Sequence, residues 1–135
     1  MGPTLIDSNV LIDVISGDPG WEEWSSRALA GAAVEGPLAI NAVIYAEVSI
    51  GFARVESCDS ALDRLRLERA PVPFPAAFLA GKAFLEYRKR GGERRSPLPD
   101  FLIGAHAAIG DMRLLTRDPR RYRAYFPRLE LVCPE

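Results

Sequence analysis

Residues 4–13 read TLIDSNVLID, and this stretch decides which fold the rest of the chain is expected to adopt. Leu5 and Ile6 form a short apolar run that stops at Asp7, and apolar residues return at 10–12. This pattern predicts a buried strand that passes directly into a helix. In open parallel sheets, ligands bind beyond the carboxyl ends of the strands, which is where Asp7 would stand. The same acid could instead only cap the helix that follows, and Asp7 alone does not separate the two interpretations.

Apolar runs and helical periodicity alternate along the chain. Beyond TLID, short strands are predicted at 36–40, 70–74, 112–116 and 129–133. Helices are predicted at 9–16, 21–34, 42–53, 58–69, 76–90, 100–110 and 118–125, and residues 91–99 form a predicted flexible loop. Strands that alternate with helices predict an α/β domain on a short, mainly parallel sheet of four to five strands. At 135 residues, the chain is expected to form one domain, 1–135.

Composition argues against several classes of protein. No stretch approaches the ~20 apolar residues that cross a bilayer, and no secretory signal is visible at the N-terminus. Cys58 and Cys133 are the only cysteines, and we expect them to be free thiols in a reducing compartment, the cytoplasm. A zinc site is not expected, because His106 is the only histidine.

The charge is unevenly distributed, although the net charge is only -1. Residues 1–60 carry nine acids and two bases, whereas residues 86–128 carry eleven bases and five acids. Arginines make up 15 of the 17 basic residues, and the guanidinium fork suits phosphate better than an ammonium does. A genome rich in arginine codons could explain that ratio, but not the position of the bases. An acidic cluster beside a basic half is expected of a metal-dependent enzyme that acts on a polyanion.

Glu47 lies in the predicted helix that follows the second strand. Val43 and Ile50 fall on the same helical face, which is therefore expected to be buried. A buried glutamate is rare unless it is paired or binds a metal. The alternatives are that this face lies at the margin of the core, or that an arginine pairs with Glu47.

Two further acids stand near the starts of late helices. Asp100 follows the segment SPLP, and Asp118 follows the fourth strand. Each could be a helix N-cap, and for Asp100 taken alone the N-cap is the better explanation. Ser8 and Thr116 stand beside strand ends and could add hydroxyl groups.

Together, the four acids predict a metal site at the carboxyl edge of the sheet. Clustered carboxylates repel one another at low dielectric, so the cluster needs a cation or shared protons at neutral pH. A ligand set made only of oxygen atoms favours Mg²⁺ or Mn²⁺. A hard metal ion beside basic residues suits the hydrolysis of phosphodiester bonds.

Four segments, in order, resemble those of PIN-domain ribonucleases, and in particular the VapC-type toxins of toxin–antitoxin systems. They are IDSNVLIDV (6–14), YAEV (45–48), DFLIGAHA (100–107) and LLTRDPRRYRAYFP (114–127). The likeness extends over essentially the whole chain. It implies a three-layer α/β/α fold and a Mg²⁺- or Mn²⁺-dependent endoribonuclease. Family members usually form homodimers and are inhibited by a small antitoxin protein, so these are expected partners besides RNA.

The resemblance also implies roles for individual residues. By matching position, the metal ligands would be Asp7, Glu47, Asp100 and, directly or through a water, Asp118. The supporting polar groups would be Ser8, Asn9 and Thr116. Each of these positions matches the family pattern, so a competent site is expected.

Several other polar residues admit two interpretations. Three arginines are candidate RNA contacts, namely Arg94, Arg95 and Arg117; for the first two, a solvated charged loop is the alternative. His106 is expected to be structural or peripheral, because it lies well off the helical face of Asp100. Asp13 is expected to face solvent or to pair two helices.

Two other functions are compatible with parts of the pattern. The chain could be a catalytically silent PIN-like module whose acids bind a basic peptide or protein; Mn²⁺ would then not stabilise it. An aspartyl phosphatase is disfavoured because Asn9 stands where that chemistry needs a second acid. Lys82 and Lys89 also lie far from the predicted strand ends.

Overall fold

A short parallel sheet forms the centre of the fold in a computed structural model of the chain, which describes residues 2–92 and 97–135. Its five strands are β1 (Thr4–Ile6), β2 (Leu38–Ile40), β3 (Leu67–Arg69), β4 (Arg113–Leu115) and β5 (Leu131–Val132). The strand order is β3-β2-β1-β4-β5, and each neighbouring pair is parallel. β1 therefore lies in the middle, and the carboxyl ends of β2 and β4 flank its own.

Helices flank this sheet. In the described ranges they are α1 (Ser8–Ser16), α2 (Glu22–Glu35), α3 (Ala42–Ser49), α4 (Val55–Asp63), α5 (Phe74–Lys89), α6 (Leu98–Ile109) and α7 (Arg120–Tyr125). The predicted α/β class and the parallel sheet of four to five strands are confirmed. None of the helices in these ranges is both long enough and apolar enough to cross a membrane.

The central strands are buried because helices cover them, as is usual for a parallel sheet. Leu5 and Ile6 of β1 and Leu114 and Leu115 of β4 are all 0% exposed. This buried centre fixes β1 and β4 side by side, with Ile6 paired to Leu115. The residue that follows each strand therefore emerges at the same edge of the sheet.

The third strand lies elsewhere than predicted. Residues 70–74 are predicted as a strand, but the strand is Leu67–Arg69, inside the predicted helix 58–69. Helix α4 stops at Asp63, and Arg66 then adopts a positive φ of 54°, which a helix cannot contain. Leu67 is thereby placed in parallel register with Leu38. Residues 70–73 carry two prolines and lead into α5 without a strand.

The two late helices start differently from the N-cap interpretations. The N-cap of α6 is Pro97, so Asp100 lies inside its first turn. The N-cap of α7 is Pro119, and Asp118 precedes it. Both N-cap interpretations are wrong, because a proline starts each helix instead. Of the predicted loop 91–99, residues 93–96 lie outside the described part of the chain.

Candidate active site

Asp7 is held by three hydrogen bonds at the carboxyl end of β1. Its Oδ1 accepts from the backbone N–H of Ser8 at 2.8 Å, which caps α1. Its Oδ2 accepts from the hydroxyls of Thr116 at 2.8 Å and Tyr122 at 2.9 Å. The residue is only 4% exposed. Asp7 therefore does both things considered for it, since it caps a helix and presents a buried carboxylate at the edge of the sheet.

Glu47 is joined to the same edge through Ser8. The hydroxyl of Ser8 donates to Oε1 of Glu47 at 2.8 Å. The prediction that Glu47 shares a buried face with Val43 and Ile50 is wrong: α3 buries Ile44 and Val48, and Ile50 is 84% exposed. The buried stripe of α3 is formed by Ile44 and Val48, one position further along the helix than Val43, which is only partly buried. Glu47 thus stands half-buried at the margin of the core.

Asp100 approaches from the first turn of α6. Its Oδ2 accepts a short hydrogen bond from Nη1 of Arg121, at 2.6 Å. The carboxylate is partly exposed, with 33% of its side chain accessible. Asp100 is therefore an acid at the rim with a cation already beside it.

The segment after β4 is fastened to the start of α1 through Thr116. Its hydroxyl donates to Asp7 and accepts from Nδ2 of Asn9 at 3.3 Å and from the backbone N–H of Asp118 at 3.1 Å. Oδ1 of Asn9 in turn accepts from the backbone N–H of Arg117 at 3.4 Å. The predicted supporting groups Asn9 and Thr116 hence form one network with Asp7.

The three carboxylates influence one another electrostatically. Burial is the main reason that the pKa of Asp7 is raised from 3.8 to about 6, against the lowering effect of its hydroxyl donors. Burial likewise raises the pKa of Glu47 and of Asp100. The negative charge of Asp100 raises the pKa of both Asp7 and Glu47. The structure therefore brings these three acids into one electrostatic neighbourhood.

The chemistry of this donor set fits a hard divalent cation. Carboxylates accompanied by the hydroxyls of Ser8 and Thr116 are oxygen ligands of the kind that Mg²⁺ and Mn²⁺ prefer. A cation would also offset the repulsion that raises the pKa values of the acids. In the described residues, however, no three acidic, histidine or cysteine side chains stand close enough together to enclose an ion. The arrangement is a cluster of coupled acids, with Asp100 turned to Arg121.

Asp118 is more peripheral than the other predicted acids. Its side chain is 63% exposed and lies 3.6 Å from Nε of Arg120, measured from Oδ1. Its negative charge nevertheless raises the pKa of Asp100. It therefore lies near the cluster without belonging to its buried part.

Arg117 is anchored by a buried acid. Its Nε lies 2.9 Å from Oδ2 of Asp13, and its guanidinium lies over the ring of Trp21, 5.1 Å from the centroid. Asp13 is 1% exposed and also accepts from the hydroxyl of Ser25 on α2 at 2.8 Å. Asp13 therefore joins α1 and α2 as one of its two interpretations predicts, and the solvent-facing interpretation is wrong. Arg117 remains a predicted RNA contact, whereas Arg94 and Arg95 lie outside the described residues.

Two residues that contact the acids, Tyr122 and Arg121, are not predicted from the sequence as part of the site. Tyr122 holds Asp7, yet a tyrosine among arginines carries no signal beyond ordinary packing. Arg121 holds Asp100, but in the sequence it is one of several arginines in the same segment. Burial and the neighbouring acids raise the pKa of Tyr122 well above its usual range, so the phenol stays protonated and donates to Asp7. The one signal that could have found them is their place in the first turn of the short helix that follows the fourth strand and Asp118.

His106 is a packing residue beside the site. Oδ1 of Asn41 accepts from the backbone N–H of Ile44 to cap α3, so Nδ2 of Asn41 faces Nδ1 of His106 at 3.0 Å. That nitrogen must accept, which places the proton of the neutral ring on Nε2. Burial lowers the pKa of His106, in keeping with a neutral ring. The structural role expected for His106 agrees with this arrangement.

Comparison with known proteins identifies the family. The PIN domain model matches residues 4–127, which is most of the chain. The chain is a member of the PIN-domain family. Over 132 residues, this PIN-domain protein is 32% identical to Ribonuclease VapC10 of Mycobacterium tuberculosis, with 96% of this chain and 90% of that protein covered. The resemblance to PIN-domain ribonucleases of the VapC type is confirmed.

Solved structures support the fold of this PIN-domain protein. VapBC2 from Rickettsia felis, bound to a promoter DNA fragment, gives a TM-score of 0.76 at 22% identity, with 99% of this chain and 100% of that chain covered. A toxin–antitoxin complex from Klebsiella pneumoniae gives a TM-score of 0.72 at 25% identity, with 98% of each chain covered. The PIN-like α/β fold implied by the four motifs is thereby confirmed.

Proposed function

We propose that this PIN-domain protein is the toxin of a toxin–antitoxin pair and an endoribonuclease that uses a divalent cation held by Asp7, Glu47 and Asp100. The observation that carries the proposal is the set of contacts that joins these carboxylates at the carboxyl edge of the sheet. Ser8 bridges Asp7 and Glu47, and the adjacent residues Arg121 and Tyr122 of α7 hold Asp100 and Asp7. The similarity to a ribonuclease over nearly the full chain supports RNA as the substrate.

The bound cation, Mg²⁺ or Mn²⁺, would acidify a water molecule and neutralise charge on the reacting phosphate. The chain's own residues prepare the ligands for this role. Thr116 and Tyr122 donate to Asp7, and both hydrogen bonds lower the pKa of Asp7 and favour its charged form. Ser8 donates to Glu47 and lowers the pKa of Glu47 in the same way. These hydroxyl groups thereby hold two acids in fixed orientations and in the form that binds a metal.

The remaining polar residues have proposed roles around this centre. Asp118 is a fourth acid at the exposed rim, and it would act on the metal directly or through a water. Asn9 orients the segment after β4 through its contacts with Thr116 and the backbone of Arg117. Arg117, with Arg94 and Arg95, would contact the RNA backbone, whose phosphates suit guanidinium groups.

The proposed partner is a small antitoxin protein that inhibits the enzyme. The similar folds include a complex of a toxin with an antitoxin, which supports this assignment. A homodimer is part of the same proposal, because it follows from the family resemblance. Both partners are expected in the compartment where the RNA substrate is found, the cytoplasm.

The decisive experiment is RNA cleavage by three matched variants. We expect the wild type to cut a single-stranded RNA of mixed sequence in Mn²⁺ or Mg²⁺ and to be inactive with excess EDTA. Asp7→Asn, Glu47→Gln and Asp100→Asn should each lower the rate about a hundredfold or more, because a metal supplies several kcal/mol to the transition state.

Asp111→Asn is the matched control for these variants. Asp111 is exposed, stands before β4 at the opposite edge of the sheet, and has a φ of 53°, which asparagine tolerates. The Asp111→Asn variant removes the same negative charge as the three site variants and should leave the rate of RNA cleavage unchanged. If Asp7→Asn cuts RNA as fast as the wild type, the proposed site is wrong.

A further inference from the structure

Helix α7 delivers adjacent side chains to two of the three acids. Tyr122 donates its hydroxyl to Oδ2 of Asp7 at 2.9 Å, and Arg121 donates Nη1 to Oδ2 of Asp100 at 2.6 Å. The first contact brings a neutral donor and the second brings a full positive charge. The acid cluster is thus already partly neutralised by a cation that belongs to the protein.

Arg121 is held in place by more than its ion pair. Its guanidinium lies over the ring of Tyr87 on α5, 5.7 Å from the ring centroid. Only 39% of the Arg121 side chain and 33% of the Asp100 side chain are accessible. Because both partners are partly withdrawn from water and the arginine has a second contact, this pair is more restrained than a solvated surface ion pair.

The other arginines of α7 have different partners. Arg120 lies 3.6 Å from Asp118, with 90% and 63% of the two side chains exposed. Arg123 contacts the sulfur of Cys133 through Nη2 at 3.3 Å. Among the described contacts of this helix, Arg121 alone places a guanidinium on one of the three coupled acids, Asp7, Glu47 and Asp100.

We propose that Arg121 is an internal counter-ion that occupies Asp100 in the metal-free protein and competes with the divalent cation for that carboxylate. The inference rests on the proposed function, since it assumes that Asp100 is a metal ligand. A guanidinium and a metal ion both need the same negative oxygens, and two cations on one partly desolvated carboxylate repel each other. Metal binding must therefore release or weaken the contact between Arg121 and Asp100.

Two properties follow from this competition. Without metal, Arg121 reduces the repulsion among Asp7, Glu47 and Asp100 and so helps the acid cluster to stay folded. With metal, part of the binding free energy is used to remove the arginine from Asp100. Arg121 would thus determine the concentration of free divalent cation at which the metal site becomes occupied.

The test measures Mn²⁺ binding directly, by titration calorimetry on the full chain after removal of metal with EDTA. We expect Arg121→Met to bind Mn²⁺ about tenfold more tightly than the wild type, equivalent to about 1.4 kcal/mol. Arg123→Met removes the same charge from the same helix without touching an acid of the cluster, and it should stay within about twofold of the wild type. Thermal melts in EDTA should show Arg121→Met to be less stable than Arg123→Met.

The outcomes separate this inference from the proposed function. If the wild type binds Mn²⁺ and Asp7→Asn does not, but Arg121→Met binds no more tightly than the wild type, the competition is refuted and the metal site stands. If neither the wild type nor Arg121→Met binds Mn²⁺, both are overturned. Should Arg121→Met fail to fold, Arg121→Gln replaces it, because its neutral amide can still donate a hydrogen bond to Asp100. The Arg121→Gln protein should also bind Mn²⁺ more tightly than the wild type does.

Discussion

At the scale of single residues, Asp7 is subject to two opposing influences. Burial disfavours its charge, whereas hydrogen bonds from Thr116 and Tyr122 favour it, and burial is the larger effect. The result is a carboxylate that is mostly ionised at neutral pH but gains a proton more easily than a solvated aspartate. Because of this balance, the folding stability of the metal-free protein should depend on pH in a way that identifies Asp7.

The stability of the metal-free protein should fall as pH rises from about 4 to 6. The pKa of Asp7 is about 6 in the folded protein and near the ordinary 3.8 when unfolded. Between these values the folded state binds more protons than the unfolded state, so its stability decreases with rising pH. A difference of about two pKa units corresponds to about 3 kcal/mol. Asp7→Asn lacks this ionisation. As pH rises through this range, its free energy of unfolding should therefore increase relative to that of the wild type by about that amount.

Urea unfolding in EDTA at several pH values between 4 and 7.5 measures this effect. The quantity to compare is the free energy of unfolding of Asp7→Asn minus that of the wild type, because Glu47 and Asp100 titrate in both proteins. That difference should grow with pH and level off above about 6. A difference that stays constant across the range would show that burial does not raise the pKa of Asp7.

At the scale of secondary structure elements, α7 depends on a close approach to α6. A Cβ atom at Gly104 would lie 2.6 Å from Cε2 of Phe126 and 3.0 Å from Cδ1 of Tyr122. Both rings are buried, so neither can move aside freely. The absence of a side chain at Gly104 thus allows α7 to pack where Tyr122 reaches Asp7.

Gly104→Ala should therefore destabilise the protein, although alanine is the better helix former. Overpacking typically costs about 1–3 kcal/mol, against a gain of about 1 kcal/mol from helix propensity. The matched control is Gly31→Ala in α2, where the added Cβ has no neighbour within 4 Å apart from the adjoining residues and backbone of its own helix. That variant should be more stable by about 0.5–1 kcal/mol.

The two glycine variants are compared by urea unfolding at one pH. Opposite signs are expected, because the same chemical change meets two rings at one site and open space at the other. If Gly104→Ala is as stable as Gly31→Ala, the packing of α7 on α6 is looser than the structure indicates.

At the scale of the whole molecule, residues of the basic second half of the chain contact residues of the acidic first half. Arg113 pairs with Glu35 at 3.1 Å, and Arg117 lies 2.9 Å from the buried Asp13. Thr116 reaches Asp7 from the other end of the chain. Part of the basic second half therefore stabilises the fold through ion pairs with the acidic first half.

Because these contacts and the central sheet join the two ends of the chain, we expect one cooperative unfolding transition. Tryptophan fluorescence reports on Trp21 and Trp24 near the start of α2, whereas far-ultraviolet circular dichroism reports on all helices. Their urea transitions should coincide, as they do for two-state domains of this size. A fluorescence midpoint well below that of circular dichroism would show that α1 and α2 unfold separately, against the expectation of a single domain.

The sequence by itself determined the alternation of strands and helices, the parallel sheet and the family. It did so because these depend on local periodicity and on the order of acid-bearing segments such as IDSNVLIDV and DFLIGAHA. It also predicted that acids would follow strand ends, which holds for Asp7. Local pattern was insufficient at the third strand, because neither the end of α4 at Asp63 nor the positive φ of Arg66 beyond it interrupts the helical periodicity of the sequence.

Only the tertiary structure decided which groups surround each acid. Tyr122 meets Asp7, 115 positions away in the chain, and its neighbour Arg121 meets Asp100. Both contacts depend on the packing of α7 against α6 at Gly104. No periodicity encodes such a contact, since it depends on the three-dimensional fit of side chains. The pKa of Asp7 follows from the same cause, because burial and neighbouring charge exist only once the chain is folded.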